Sequence, residues 1–209
     1  MKLRAVRGED GLQRCSWAEP HADYRAYHDH EWGFPVDDDR RLFEKLCLEG
    51  FQSGLAWLTI LRKREGFRRA FADFDFRRIA RWNRRSVERL LTDPGIVRHR
   101  GKIEATLHNA RVACRVSDRA GSLAAFFWRF EPPPAERPRR ATPAALAALT
   151  ETPTSRALAR ELKAHGFRFV GPTTCYAFMQ AMGLVDDHLE SCVVRPRVEA
   201  ARGRFRRPG

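Results

Sequence analysis

No stretch of this 209-residue sequence approaches the roughly 20 consecutive apolar residues that a membrane-spanning helix needs, which excludes a helical bilayer span. The opening MKLRAVRGEDGLQ lacks an apolar h-region and does not read as a secretory signal, so the chain is expected in the cytoplasm. Cysteine is scarce: Cys15, Cys47, Cys114, Cys175 and Cys192 are odd in number and widely scattered. That pattern excludes a disulfide frame and leaves core thiols or metal ligands in a reducing compartment. Repeats are missing beyond helical pairs, and no segment alternates convincingly as a strand, so no sheet is expected. Acidic residues are outnumbered, 26 against 39 Lys and Arg, for a formal charge of +13. The excess suits a polyanionic partner, because Lys and Arg displace counterions condensed on nucleic acid; a well-solvated basic surface would give the same count.

What is present is a helical pattern with a core. Hydrophobic residues make up 43%, too many for a disordered tail and enough for one or two domains. Leu42, Phe43, Leu46 and Cys47 form one helical stripe. Phe51, Leu55, Leu58 and Leu61 form a second, ending in the basic run Arg62-Lys63-Arg64, which suits a helix C-terminus. Ile103, Leu107, Ala110 and Cys114 mark a third helix, and Leu123, Phe126, Phe127 and Phe130 a fourth. Residues 131–143, EPPPAERPRRATP, hold five prolines and read as an exposed loop. Thr154 or Ser155 is expected to cap a helix running to about His165, with Gly166 at its C′ position. Pro172 suits the first turn of the next helix, Thr173 to about Met182. The arginine-rich segment after Cys192 reads as a flexible basic arm.

Three groupings carry chemistry. Residues 155–183 read as helix, glycine-bounded hairpin, helix, with Gly166 and Gly171 framing a turn that opens onto free amides at Thr173. Such a helix N-terminus is a phosphate site and grips a DNA backbone without reading sequence; an ordinary helical turn has the same spacing. Cys15 and His28 lie near one end of the sequence, His188 and Cys192 near the other. One helical turn at i, i+4 would aim the latter two at one metal, and two Cys with two His make a closed tetrahedral zinc set; separate buried thiols and surface histidines are the alternative. Trp17, Tyr24, Tyr27 and Trp32 form a dense aromatic cluster, in which core packing is the preferred reading for Trp32. Glu49 sits on the Leu42/Leu46 flank and enters an apolar run, where an unpaired carboxylate costs several kcal/mol. Removing that charge by Glu49→Gln is therefore expected to leave stability unchanged or raise it. Trp57 offers a flat stacking surface.

In combination, RCSW (14–17), YRAYHDHEWGFP (24–35), LFEKLCLEGFQSGLAW (42–57), GIVRHRGKIEATLHNA (95–110) and PTSRALARELKAHGFRFVGPTTCYAFMQAMGLVDDHLESC (153–192) resemble the 3-methyladenine DNA glycosylase I family. The resemblance covers roughly residues 14–192. It implies an all-α, helix-hairpin-helix glycosylase fold with a basic N-terminal extension (1–13), a catalytic region (14–192, the helix-hairpin-helix at about 155–183) and a basic C-terminal tail (193–209). It implies one structural zinc bound by Cys15, His28, His188 and Cys192, tying the N- and C-terminal segments together. Family base-pocket positions map onto Trp17, Tyr24, Tyr27, Glu49 and Trp57, with Glu49 and Tyr27 as the catalytic pair; Phe51 replaces a glutamine found in some relatives. The implied activity is monofunctional hydrolysis of the N-glycosidic bond of 3-methyladenine flipped from alkylated DNA, in base excision repair. No catalytic aspartate is implied; Asp186 and Asp187 are expected to position the zinc-ligand helix. Expected DNA contacts are the amides around Gly166, Gly171 and Thr173, supported by Arg98, Arg100, Lys102, Lys163 and Arg168. The expected partner is double-stranded DNA containing 3-methyladenine. The chain is expected to act as a monomer, away from membranes and nucleoid-associated through DNA. Two rivals are a noncatalytic zinc-stabilised binder of damaged DNA and a zinc hydrolase; four protein ligands would leave no position for water and argue against the second.

Overall fold

A computed structural model describes residues 3–19 and 21–209; the first two residues of the expected N-terminal extension lie outside that set. The fold is mostly helical. Its α-helices are α1 (Ala22–His30), α2 (Asp39–Gln52), α3 (Trp57–Ala70), α4 (Phe76–Ile79), α5 (Arg84–Leu91), α6 (Arg100–Ala120), α7 (Leu123–Trp128), α8 (Pro143–Ala147), α9 (Pro153–His165), α10 (Pro172–Ala181) and α11 (Arg195–Arg204). The expectation of no sheet fails in one place. β1 (Ala5–Arg7) and β2 (Gln13–Cys15) pair antiparallel, turning on Gly8 and Gly11, too short a pairing to show alternation in the sequence.

Helix α2 organises the core. Asp38 caps it by accepting the Arg41 N–H, and every residue from Leu42 to Phe51 is buried. It packs against α3, α6, α7 and α10. Phe51 joins this core, its ring 4.6 Å from that of Phe67 and 6.0 Å from that of Phe71. Burying such a ring contributes roughly 1.5–3 kcal/mol. The position at which the resemblance implies an exchange of glutamine for phenylalanine thus lies in the core.

The stripe from Phe51 to Leu61 is not one helix. Gly54 adopts φ +80°, breaking the chain between α2 and α3, and the Lys102 ammonium caps the end of α2 by donating to the carbonyls of Phe51 (2.9 Å) and Ser53 (2.6 Å). The run Arg62-Lys63-Arg64 lies inside α3, whose last turn instead carries Arg68 and Arg69. Farther along, Thr152 rather than Thr154 or Ser155 is the N-cap of α9, with Ser155 as the reciprocal partner of a capping box. Gly166 closes that helix at φ +98°, a left-handed conformation that other residues adopt only at a cost.

Two segments read as irregular are docked. In 131–143, the Arg137 guanidinium donates to the Tyr176 hydroxyl, the Asp186 carbonyl and the Asp187 carboxylate, and Glu136 accepts from the backbone and hydroxyl of Thr154. The C-terminal arm forms α11, anchored by fully buried Val198. Arg195 pairs with Glu199, and Arg202 and Arg207 pair with Glu131. The arginines hid an apolar anchor at 194 and 198, one helical turn apart.

Candidate active site and its neighbouring cysteine–histidine cluster

A cleft of about 290 Å³ opens where α1, α2, α3 and α10 meet. Trp17, Tyr27, Glu49 and Trp57 line it, as the sequence predicts; Trp32, Lys45, Gln180 and Asp187 line it as well. Tyr24 does not. Its hydroxyl accepts the Leu58 N–H at 3.0 Å, so it caps the otherwise uncapped start of α3.

Glu49 has a partner that the sequence reading left out. Lys45, one turn earlier on α2, places Nζ 2.7 Å from Glu49 Oε1, donates to the Tyr27 hydroxyl at 2.9 Å and lies 3.5 Å from the Trp57 ring centroid. Burial works against the ammonium, but Glu49 and Tyr27 outweigh it and raise the Lys45 pKa. For the Tyr27 phenol burial has the opposite sign and raises the pKa. The i, i+4 spacing of Lys45 and Glu49 was the available signal. Trp57 Nε1 is buried and has no hydrogen-bond partner among the described residues, leaving one donor in the cleft wall unused.

Asp187 is buried and fully engaged: besides Arg137, it accepts from the Tyr176 hydroxyl at 2.6 Å and the Gln180 amide at 2.7 Å. It therefore braces the 131–143 segment against α10 at the edge of the cleft. Asp186 turns the other way, its Oδ1 2.7 Å from His188 Nδ1. Residues 186–192 are not helical, so the expected zinc-ligand helix is absent and an irregular turn carries His188 and Cys192.

That turn meets the start of the chain. One ligand atom each from Cys15, His28 and Cys192 lies within 4.8 Å of the others, and all three residues are buried. The His188 ring packs edge-on to His28 with centroids 4.8 Å apart, and its Nε2 is buried with no hydrogen-bond partner among the described residues. Each histidine has a carboxylate on Nδ1, Asp29 for His28 and Asp186 for His188, both at 2.7 Å, so each ring is fixed with Nε2 facing inward. The Leu189 amide donates to Cys15 Sγ, and the Cys15 thiol followed by His28 lowers the Cys192 pKa against its burial. Two sulfurs and two inward nitrogens, one of them the orphaned His188 Nε2, make a donor set that fits a tetrahedral metal. Trp17 and Trp32 pack on His28, with centroids 5.0 and 6.3 Å away, and connect this cluster to the cleft wall.

The opposite rim is the α9–α10 pair. Asn109, absent from the sequence-based site, latches the turn between them by accepting the Arg168 N–H and donating to the Arg168 carbonyl. Gly171 begins α10 with no side-chain cap, and a β-carbon there would meet only Thr174 Oγ1, 4.0 Å away. Nothing inside the fold demands glycine at this point, which leaves the first amides of α10 open to a close approach. Thr173 and Thr174 share a second cleft with Glu49, Ser53 and Leu55. Of the expected cations, Arg98, Lys163 and Arg168 are exposed. Arg100 is paired with Glu88, and Lys102 is buried in its capping role, which removes it from any phosphate.

Comparisons agree on one family. The methyladenine glycosylase family model matches residues 17–195. The chain is 44% identical over 186 residues to DNA-3-methyladenine glycosylase 1 of Escherichia coli, spanning 88% of this chain and 98% of that one. A crystal structure of 3-methyladenine DNA glycosylase I superposes with a TM-score of 0.78 at 49% identity, over 87% of this chain and 98% of the other. The Staphylococcus aureus 3-methyladenine DNA glycosylase I, solved to show its recognition of 3-methyladenine, gives a TM-score of 0.81 at 36% identity, over 87% and 96%.

Proposed function

The chain belongs to the methyladenine glycosylase family, and from that premise we infer that it is a DNA-3-methyladenine glycosylase, a hydrolase of base excision repair that cleaves the N-glycosidic bond of the damaged base. The observation that carries the reading is the cleft in which an aromatic wall, Trp17, Tyr27 and Trp57, surrounds the buried carboxylate of Glu49. Extruding a base from the duplex costs a few kcal/mol. Stacking on an aromatic ring returns roughly 1–3 kcal/mol. A base methylated at N3 is a cation, so its bond to the sugar is already weakened and it leaves as a neutral purine. Glu49 and Tyr27 are the groups to hold its edge, and Trp57 is the surface to stack on it. Water then captures the oxocarbenium-like sugar. Asp187 is occupied by Arg137, Tyr176 and Gln180, which supports a mechanism that leans on a cationic leaving group rather than on a carboxylate base.

Cys15, His28, His188 and Cys192 are proposed to hold one zinc, which supplies structure alone because four protein ligands close its coordination shell. The α9–α10 pair is proposed as a helix-hairpin-helix. Its open amides after Gly171 would meet a phosphate of double-stranded DNA, supported by Arg98, Lys163 and Arg168. No helix among the described residues is long and apolar enough to cross a membrane. The proposed setting is the cytoplasm, with the chain bound as a monomer to the nucleoid. Release of 3-methyladenine from methylated duplex DNA tests the whole reading. A catalytic amount of protein should free many equivalents of base and leave abasic sites uncut. Binding of methylated DNA with no base released would instead support a noncatalytic damage binder.

A further inference from the structure

The cleft assigned to the base is already occupied by a cation of the chain's own. The Lys45 ammonium touches Glu49 at 2.7 Å, the Tyr27 hydroxyl at 2.9 Å and the Trp57 face at 3.5 Å from the ring centroid. A carboxylate, a phenol oxygen and an indole face around one positive charge form a complete cation-recognition corner. At 3.5 Å the ammonium stands where a stacked ring would stand, so a base and Lys45 cannot share that face of Trp57.

Lys45, with Tyr27 and Trp57, also lines a second cavity, of about 30 Å³. That volume accommodates one water-sized group. Glu31 and Glu44 are in its wall, Glu31 paired with Arg64 and Glu44 with Arg68, and Arg41 lines it too, so an arriving ammonium would share carboxylates that already hold a cation. A lysine's four-carbon stem has the rotatable bonds to move an ammonium from one cavity to the next.

We propose that Lys45 is a specificity-determining residue of this pocket: it fills the cation corner in the free protein, and a base enters by displacing its ammonium toward Glu31 and Glu44. The proposal rests on the assignment of Tyr27, Glu49 and Trp57 to the base. A cationic lesion replaces one positive charge with another and keeps Glu49 neutralised. An undamaged base brings no charge and would leave Glu49 buried and unpaired, which is costly. After bond cleavage the base is neutral, and Lys45 regains its place by expelling it. The ammonium thus sets an entry threshold and drives product release.

The test is Lys45→Met, which keeps the side-chain volume without the charge. Free 3-methyladenine, titrated calorimetrically, should bind the variant at least tenfold more tightly than wild type, and free adenine should also gain. Release from methylated DNA should show a first-turnover burst followed by slower, product-limited turnover. A folded variant that binds 3-methyladenine no more tightly than wild type overturns the proposal. In the Lys45→Met background, Glu49→Gln and Trp57→Ala should each weaken binding. If neither does, the base assignment itself fails; if both do and Lys45→Met alone brings no gain, only the role of Lys45 fails. Should Lys45→Met not fold, lysine ammonium NMR of the wild type decides. The Lys45 signal must shift when 3-methyladenine saturates the protein, and an unshifted signal in the complex refutes displacement.

Discussion

A β-carbon on Gly33 would stand 2.8 Å from Cε1 of His188, closer than packed carbon atoms approach. Gly33 also lies at φ +86°, so the glycine both turns the chain after α1 and clears the space that the second histidine occupies. Gly33→Ala should cost about 1–2 kcal/mol from backbone strain alone, with the displaced imidazole adding to it. The expected outcome is a lower melting temperature together with loss of tightly held zinc, read by metal analysis after dialysis. Zinc content equal to wild type, about one per chain, would mean that His188 is not a ligand. Chelation of wild type should lower the melting temperature more than it changes affinity for the free base. Protein carefully prepared without chelators and lacking zinc would refute the metal assignment.

Glu49→Gln should destabilise the protein, contrary to the expectation from sequence. Read alone, Glu49 was an unpaired buried charge whose removal relieves strain. The structure pairs it with Lys45, whose side chain is 7% exposed, so the substitution strands a buried ammonium. Leaving a buried group without its partner costs about 1–3 kcal/mol, and more for a charge. Denaturant unfolding measures this. A variant as stable as wild type would mean that the ammonium readily finds another partner, for which Glu31 and Glu44, in the wall of the second cavity, are candidates.

Several of the longer helices and most of the cleft were legible because they rest on local pattern. The stripe Leu42, Phe43, Leu46, Cys47 marks one buried face of α2, and Gly166 and Pro172 punctuate the α9–α10 pair. The cysteine–histidine cluster was legible through residue type, although not through helical spacing, because a non-helical turn carries His188 and Cys192. The misses are tertiary. Lys45 goes unmarked in the sequence pattern, and only the burial of both faces of α2 turns it inward. Tyr24 has the same residue type as Tyr27, yet its hydroxyl caps α3 from 34 residues away in sequence. Asn109 carries no local signal at all, because its partner is backbone at Arg168 on another helix pair. The C-terminal arginines were read by charge, and their acidic partner Glu131 lies about 70 residues upstream.

DNA affinity should fall steeply with salt, and the slope identifies the phosphate contacts. Removing one phosphate-contacting cation lowers the slope of log K against log salt by about 1. Arg98→Ala, Lys163→Ala and Arg168→Ala should each do so, measured by fluorescence anisotropy on a methylated duplex. Lys102→Met should instead lower stability with the slope unchanged, because its ammonium caps Phe51 and Ser53. A reduced slope for Lys102→Met in folded protein would return that residue to the DNA interface, and salt-independent affinity would remove the interface altogether.

Acid should release the C-terminal helix through Glu131. The Glu131 carboxylate accepts from Arg202 at 2.6 Å and from Arg207 at 2.9 Å, and these guanidiniums, Arg207 foremost, hold its pKa below the usual glutamate value. The folded chain therefore takes up this proton less readily than the unfolded chain. The stabilisation is complete above the ordinary glutamate pKa of about 4.3 and is lost as pH falls through the lowered folded value. Beside this clamp the Phe205 ring lies on Trp128 with centroids 4.4 Å apart, so loosening the ion pairs frees the end of α11 to lift from α7. Amide protection factors in α11 should drop in that acid window while those of α2 and α6 persist. Glu131→Gln should lose part of the α11 protection already at neutral pH and show no acid step of its own. If α11 stays protected across the window and in the variant, buried Val198 rather than the ion pairs holds the helix in place.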